Sequence, residues 1–469
     1  MEGVAQDYLN QLIHRSLVQV EWSDPAGRVR HCRIHDMLRE VILSRSEELS
    51  FRLVSMQNFF RLDKIARRLS VQNNVNTPLE SITSSQTRSI CIFEVDEVPN
   101  SFLTTCFVNF KLMKTMDFEG APINYIPKEV GNLFHLRYLS LRRTKVDMIP
   151  KSIGKLQNLE TLDLKRSLVY ELPEEINALR KLRYLAAYII KYDIQFSIDF
   201  RQAVKVPSGI GNLESLQKLF NVEATNTAFI EELGKLSLLR KLEITKLKRE
   251  SGITLCTSLK KMSHLRSLRI CATSEEEVLD MQSMSSPPHL LQCLILVGRL
   301  EKLPKWISKL ESIVTIALYW SRLTNDPLKV LQALPNLMNL RLHDGYEGEQ
   351  LHFEGGGFQK LKYLGLRKLR GLNKLIIAKG ALPLLEELRI GPCPQLKEVP
   401  SGIHNLNSLK SLESYEMPRE FVLSMQPYKG PDFWKVEHVS TIRFWFRIHG
   451  EKYKTYKLGD PELLDLLQR

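Results

Sequence analysis

A chain of 469 residues that is 43% hydrophobic can build two or three domains or one long repeat array, which excludes wholesale disorder. Its net charge of +13 favours an acidic partner, whether nucleic acid, anionic membrane or protein, without choosing among them. No run of about 18 or more apolar residues occurs, so no membrane-spanning helix is expected.

In chain order, Val4, Tyr8, Leu9, Leu12 and Ile13 sit at helical spacing. "LVQVEW", the turn "SDPAGR" and "VRHCRI" then read as a hairpin. A second helix starts at Asp36, its expected N-cap, with Leu38, Val41, Ile42, Arg45 and Leu49 in phase. Helix, hairpin, helix is the outline of a small winged-helix module, assigned to residues 1–65. Residues 66–105, with "RRLSVQNN" and "TRSICIFEV", form a strand-bearing linker, or N-terminal cap, leading into a repeat array.

Repeats occupy residues 106–425. "LRYLSL" (136–141), "LETLDL" (159–164) and "LRYLAA" (182–187) recur every 23 residues, and Pro127, Pro150 and Pro173 keep the same interval. L-x-x-L-x-L followed by apolar-Pro is the leucine-rich-repeat pattern, in which each unit adds one strand to a solenoid or horseshoe. Looser units continue through "LRKLEI", "LRSLRI", "LQCLIL", "IVTIAL", "LMNLRL", "LKYLGL", "LEELRI" and "LKSLES" (409–414), and a degenerate one precedes them at "MKTMDF". The fold class is therefore α/β, a leucine-rich-repeat solenoid preceded by a winged-helix module. An insertion between Ala187 and Val206 is expected as loops on one face. In the tail, residues 426–469, Ile442, Phe444, Phe446 and Ile448 alternate with Arg443, Trp445 and Arg447, which predicts a terminal strand in a C-terminal cap.

Residues between the framework leucines point out along the concave sheet. They include Tyr138, Arg142, Lys165, Tyr184, Tyr188, Tyr319, Arg341, His343, Tyr363, Arg367 and Arg389. Tyr and Arg are interface residue types, so a protein partner is expected on this face. Interleaved basic and aromatic residues also suit nucleic acid, with a solvated face as the plain alternative. "SEEEVLD" (274–280) is expected to be a solvated acidic patch. No Ser-His-Asp order, paired carboxylates or HExxH points to an enzyme. His31-Cys32-x-x-His35 lacks the second cluster that a four-ligand zinc site needs, so no metal is expected. Seven scattered cysteines without paired spacing and the absence of Asn-x-Ser/Thr suggest reduced thiols and a cytoplasmic protein, peripheral to membranes at most through partners.

His35-Asp36, at a strand-to-helix junction, reads either as a phosphate sensor or as a helix cap beside a histidine. "DYLNQLIHRSLVQVE", "CRIHDMLREVILS", "RRLSV", "TRSICIF", "GNLFHLRYLSLRRTKV" and "IPKSIGKLQNLETLDLK" resemble the plant intracellular nucleotide-binding leucine-rich-repeat immune receptors of the coiled-coil class. The resemblance implies that Ile34-His35-Asp36 matches the family's Met-His-Asp motif, whose histidine contacts the β-phosphate of ADP. It also implies a pathogen effector or guarded host protein as partner, and a nucleotide-binding domain engaged within the same chain or in trans. Nucleic acid is not implied. The family's ADP/ATP site needs a G-x-x-x-x-G-K-[ST] loop, which this sequence lacks. The chain thus looks like a truncated member that holds no cofactor by itself. The alternative is a non-signalling interaction scaffold or decoy.

Overall fold

A computed structural model describes residues 2–23, 29–48, 52–55, 67–72, 86–93, 95–190, 197–427, 429–448 and 452–468. The expected turn at 24–28, Leu49 and the insertion's residues 191–196 lie outside these. Two compact units divide the chain, Met1–Ile244 and Thr245–Arg469.

The first unit opens with helix Glu2–His14, the antiparallel hairpin Val18–Ser23 with Val29–Ile34, and helix Asp36–Glu48. The helical period is real, but Val4, Tyr8, Leu12, Val41 and Ile42 are all exposed. Asp36 is not the cap. His35 precedes the helix, its carbonyl accepts from Arg39 N at 2.9 Å, and its Nδ1 accepts from Met37 N at 3.4 Å. Those are the two functions of an N-cap residue, so Asp36 falls one place inside, where its carboxylate faces the positive end of the helix dipole.

A parallel ladder runs through Arg52–Ser55, Arg68–Gln72, Ser89–Phe93, Thr115–Asp117, Tyr138–Ser140, Thr161–Lys165, Tyr184–Ile190 and Lys218–Glu223. Period-two alternation sends Leu139 and Leu141 inward, both with no exposed surface, and leaves Tyr138 half-buried on the other face. Each 23-residue unit turns back through a 3-10 segment, Lys128–Asn132, Lys151–Lys155 and Glu174–Ala178. The preceding prolines hold φ near −70° and need no N–H there, which fixes the chain's direction into the turn. These turns pack backbone to backbone: a Cβ on Gly154 would lie 2.8 Å from the Glu175 carbonyl oxygen. The insertion returns as a strand rather than only as loops, because Arg201–Ala203 pairs antiparallel with the extended end of Tyr184–Ile190.

The second unit stacks Ser267–Ala272, Cys293–Val297, Thr315–Tyr319, Asn339–His343, Tyr363–Arg367, Glu387–Ile390, Ser411–Tyr415 and Thr441–Ile448 in parallel. Lys452–Lys457 folds back antiparallel on the last of these, and Phe444 and Tyr456 are buried. The acidic run is solvated at Glu276 but is also held by ion pairs. Arg322 reaches Glu276 at 2.5 Å, Glu275 at 3.7 Å and Asp344 at 3.0 Å. Glu277 accepts from Arg249 N at 2.7 Å and from the Thr273 hydroxyl at 3.1 Å. Three carboxylates around one guanidinium raise its affinity for its proton despite partial burial.

Candidate binding face

Every face residue named from the sequence falls on a repeat strand or just past one, on the side opposite the leucines. Most of their charge is already engaged. In the first unit, Arg142 pairs with Glu119 at 3.3 Å and Lys165 with Asp163 at 3.0 Å. Lys165 also lies over the rings of Tyr184 and Phe220, at 5.5 and 5.7 Å. The Tyr184 hydroxyl donates to Asp163 at 3.4 Å. Arg201, brought in by the insertion, covers Tyr188 at 5.3 Å and faces Glu243, which also pairs with Lys241 at 2.9 Å. Burial, reinforced by Asp117, pushes the Tyr138 phenol up to about 12. Burial and then Asp163 raise that of Tyr184. Both phenols therefore stay protonated as donors at neutral pH.

The second unit is more aromatic. Tyr319, Trp320 and His343 form a triangle with ring centroids 5.4 to 6.0 Å apart. His343 is 8% exposed, and its Nε2 is covered without a hydrogen-bond partner among the described residues. Burial, followed by the nearby Lys368 and Arg367, pulls its pKa down to about 3, so the ring is neutral. Tyr363 lies across Gly365, whose missing side chain leaves room for the ring, with Arg341 4.9 Å and Arg389 5.7 Å from its centroid. Arg389 is held by Glu387 at 2.5 Å and Glu413 at 3.2 Å. Arg367 sits 3.9 Å over Tyr415, which stacks on Trp445 with centroids 5.6 Å apart and donates to Glu413 at 2.8 Å.

The residues not anticipated are the partners: Asp163, Phe220, Glu243, Trp320, Glu387, Glu413, Tyr415 and Trp445. Asp163, Phe220, Glu243, Glu387 and Glu413 occupy variable places inside the repeat frame, and others follow it. Tyr415, for instance, comes directly after "LKSLES" just as Arg142 comes after "LRYLSL".

His35 and Asp36 are exposed on the winged-helix module, away from any cluster of three metal-ligating side chains among the described residues. Nδ1 accepts from Met37 N, which leaves Nε2 as the ring nitrogen that can donate outward.

The Leucine-rich repeat region family matches residues 86–420, and the Disease resistance protein Winged helix domain family matches residues 1–42. The Arabidopsis thaliana disease resistance protein RPM1 is 33% identical over 460 residues, covering 95% of this chain and 48% of that protein. The chain belongs to the plant nucleotide-binding leucine-rich-repeat disease resistance family. The Arabidopsis disease resistance protein RPP8 is 28% identical, covering 95% of this chain and 49% of its own length. The chain thus spans about half the length of the curated relatives it matches, as their winged-helix end and repeat region. Among solved structures, a leucine-rich-repeat protein of Leptospira interrogans overlays with a TM-score of 0.56 at 20% identity, covering 80% of this chain and 89% of the other. The ectodomain of the Arabidopsis receptor kinase GASSHO1/SCHENGEN3 gives 0.52 at 18% identity, covering 81% and 47%. Both support the repeat fold alone. No nucleotide-binding domain lies in this chain. One exposed imidazole donor does not make a nucleotide site, so the described residues by themselves do not fit ADP or ATP. No helix among the described residues is long and apolar enough to cross a membrane.

Proposed function

We propose that this chain is the recognition and restraint portion of a plant immune receptor. Its repeat face binds a pathogen effector or a modified host protein, and the repeats hold the adjoining nucleotide-switch region in its resting state. A partner that prefers one state would shift the off/on equilibrium by its difference in affinity for the two. The observation that carries this reading is the second unit's face, where Tyr319, Arg341, Tyr363, Arg367 and Trp445 lie at least partly exposed on one sheet surface, supported by the buried Trp320 and Tyr415. Tyr, Trp and Arg dominate interface hot spots, and the cation–π contacts hold these side chains in place before a partner arrives.

In the same reading, His35 completes a switch only when a nucleotide domain is supplied, in the same polypeptide or in trans. Its Nε2–H is then the group offered to a phosphate oxygen. The test is Arg341→Glu combined with Arg367→Glu, assayed for partner capture and for hypersensitive cell death in leaf tissue co-expressing the nucleotide-binding portion of a relative. Altered capture or altered signalling is expected; unchanged behaviour in both assays would refute the proposal.

A second reading is a non-signalling scaffold or decoy that uses the same repeat face. It predicts the same partner binding with no immune output.

A further inference from the structure

The strand register of the second unit places eight residues in one row across the sheet: Arg269, Ile295, Ala317, Arg341, Gly365, Arg389, Glu413 and Arg443. The four arginines are not equivalent. Arg389 and Arg443 share Glu413, and Arg389 also holds Glu387. Arg269 and Arg341 have no carboxylate among the described residues. Arg341 is nonetheless fixed, because its Nε donates to Asn339 at 3.2 Å and its guanidinium lies over Tyr363, which leaves the Nη groups uncommitted. Arg269 keeps a covered Nε that makes no hydrogen bond.

Between these two lie Ile295 and Ala317. Ala317 is a small, nearly buried side chain, and Val297 beside Ile295 on the next row is fully buried. The exposed aliphatic surface there is that of Ile295, with an unneutralised arginine at each end of the stretch. Three strand spacings separate the arginines, about 14 Å at roughly 4.8 Å per strand.

We propose that this stretch is a subsite for an extended acidic peptide segment of a protein partner. Two carboxylates four residues apart would engage Arg269 and Arg341, and an aliphatic side chain between them would rest on Ile295. In an extended chain, residues i, i+2 and i+4 face one side and span about 13 Å, which matches the row. A guanidinium with free Nη groups suits a carboxylate because both ends of its fork can bond at once. Nucleic acid is the poorer occupant, because the floor is aliphatic where bases need aromatic platforms. The inference rests on the proposed partner-binding role of the face and deepens it.

The test uses the full chain and a fluorescein-labelled peptide, Ser-Glu-Ser-Leu-Ser-Glu-Ser, read by fluorescence anisotropy. Arg269→Gln and Arg341→Gln should each weaken binding about tenfold, and the double variant more, while Arg443→Gln changes it by less than about twofold. The peptide with serine for leucine should bind severalfold more weakly, and the peptide with lysines for glutamates should not bind. Thermal melts must match the parent for the variants to count, and Arg341→Lys, which keeps the charge but not the fork, should bind at an intermediate level. An Arg443→Gln loss equal to that of Arg341→Gln, or full binding by the double variant, overturns the subsite. So does preferential, Arg269- and Arg341-dependent binding of a labelled single-stranded oligonucleotide. If the subsite fails while the Arg341→Glu/Arg367→Glu variant still alters partner capture or signalling, the proposed function stands without it; if both fail, both fall.

Discussion

Lowering the pH should destabilise the second unit through His343 more than through an ordinary histidine. Its side chain is packed against Tyr319 and Trp320 and faces Arg367 and Lys368, so the folded protein holds it neutral down to about pH 3. The unfolded chain protonates it near the reference value of 6.5. Between those values the unfolded state binds the extra proton, so stability is lost as pH falls from 6.5 and the loss is complete only below about 3. At about 1.4 kcal/mol per pH unit, the penalty at pH 5 comes to about 2 kcal/mol. Other carboxylates titrate below that point, so the measurement is a difference: urea unfolding of the parent and of His343→Gln at about pH 7 and pH 5. Trp320, 5.4 Å from the imidazole, supplies a local fluorescence signal. The parent should lose about 2 kcal/mol more than the variant over that interval. Equal losses, or an NMR titration of His343 near 6.5 in the folded protein, would refute the reasoning.

The packing sets two further outcomes. Arg322→Met leaves Asp344, 6% exposed, without its guanidinium and releases Glu275 and Glu276; it should cost on the order of 3 kcal/mol in chemical denaturation and increase protease cleavage around residues 274–280. Gly402→Ala forces a side chain into φ +80° and puts its Cβ 2.0 Å from the Ile377 carbonyl oxygen, so it should lower stability by more than about 1–2 kcal/mol, whereas Gly380→Ala, at a similar φ of +82° with nothing within 4 Å, should cost only the backbone strain.

The leucine columns were legible because a 23-residue period repeats the same inward positions. Leu136, Leu139 and Leu141, for example, are all fully buried. The outward positions of the face came from the same alternation. What escaped was pairing across strands. Glu413 is 6% exposed on a surface where a carboxylate reads as solvated, and its contact with Arg389 exists only because the two strands align in parallel 24 residues apart. The ion pairs of the acidic run escaped for the same reason, since Arg322 lies 46 residues from Glu276. The cap was misplaced by one position because Asp36 is the type composition favours there, and only the backbone geometry shows that His35 takes the place. On the first helix, the spacing of Val4, Tyr8 and Leu12 identified the element but carried no information about what would cover it.

The parallel register keeps the framework leucines and the outward residues in separate columns. Leu340 and Leu342 belong to one, Asn339, Arg341 and His343 to the other. A change at Arg341 need not disturb a leucine, and a change that damages Leu340 does not by itself alter what the face displays. Under the proposed recognition role, selection on recognition and selection on folding would therefore act on different residues of the same strand. In a lineage whose partners keep changing, the face can diverge one repeat at a time while the scaffold stays nearly still, so that close relatives would share a fold and differ in what they detect.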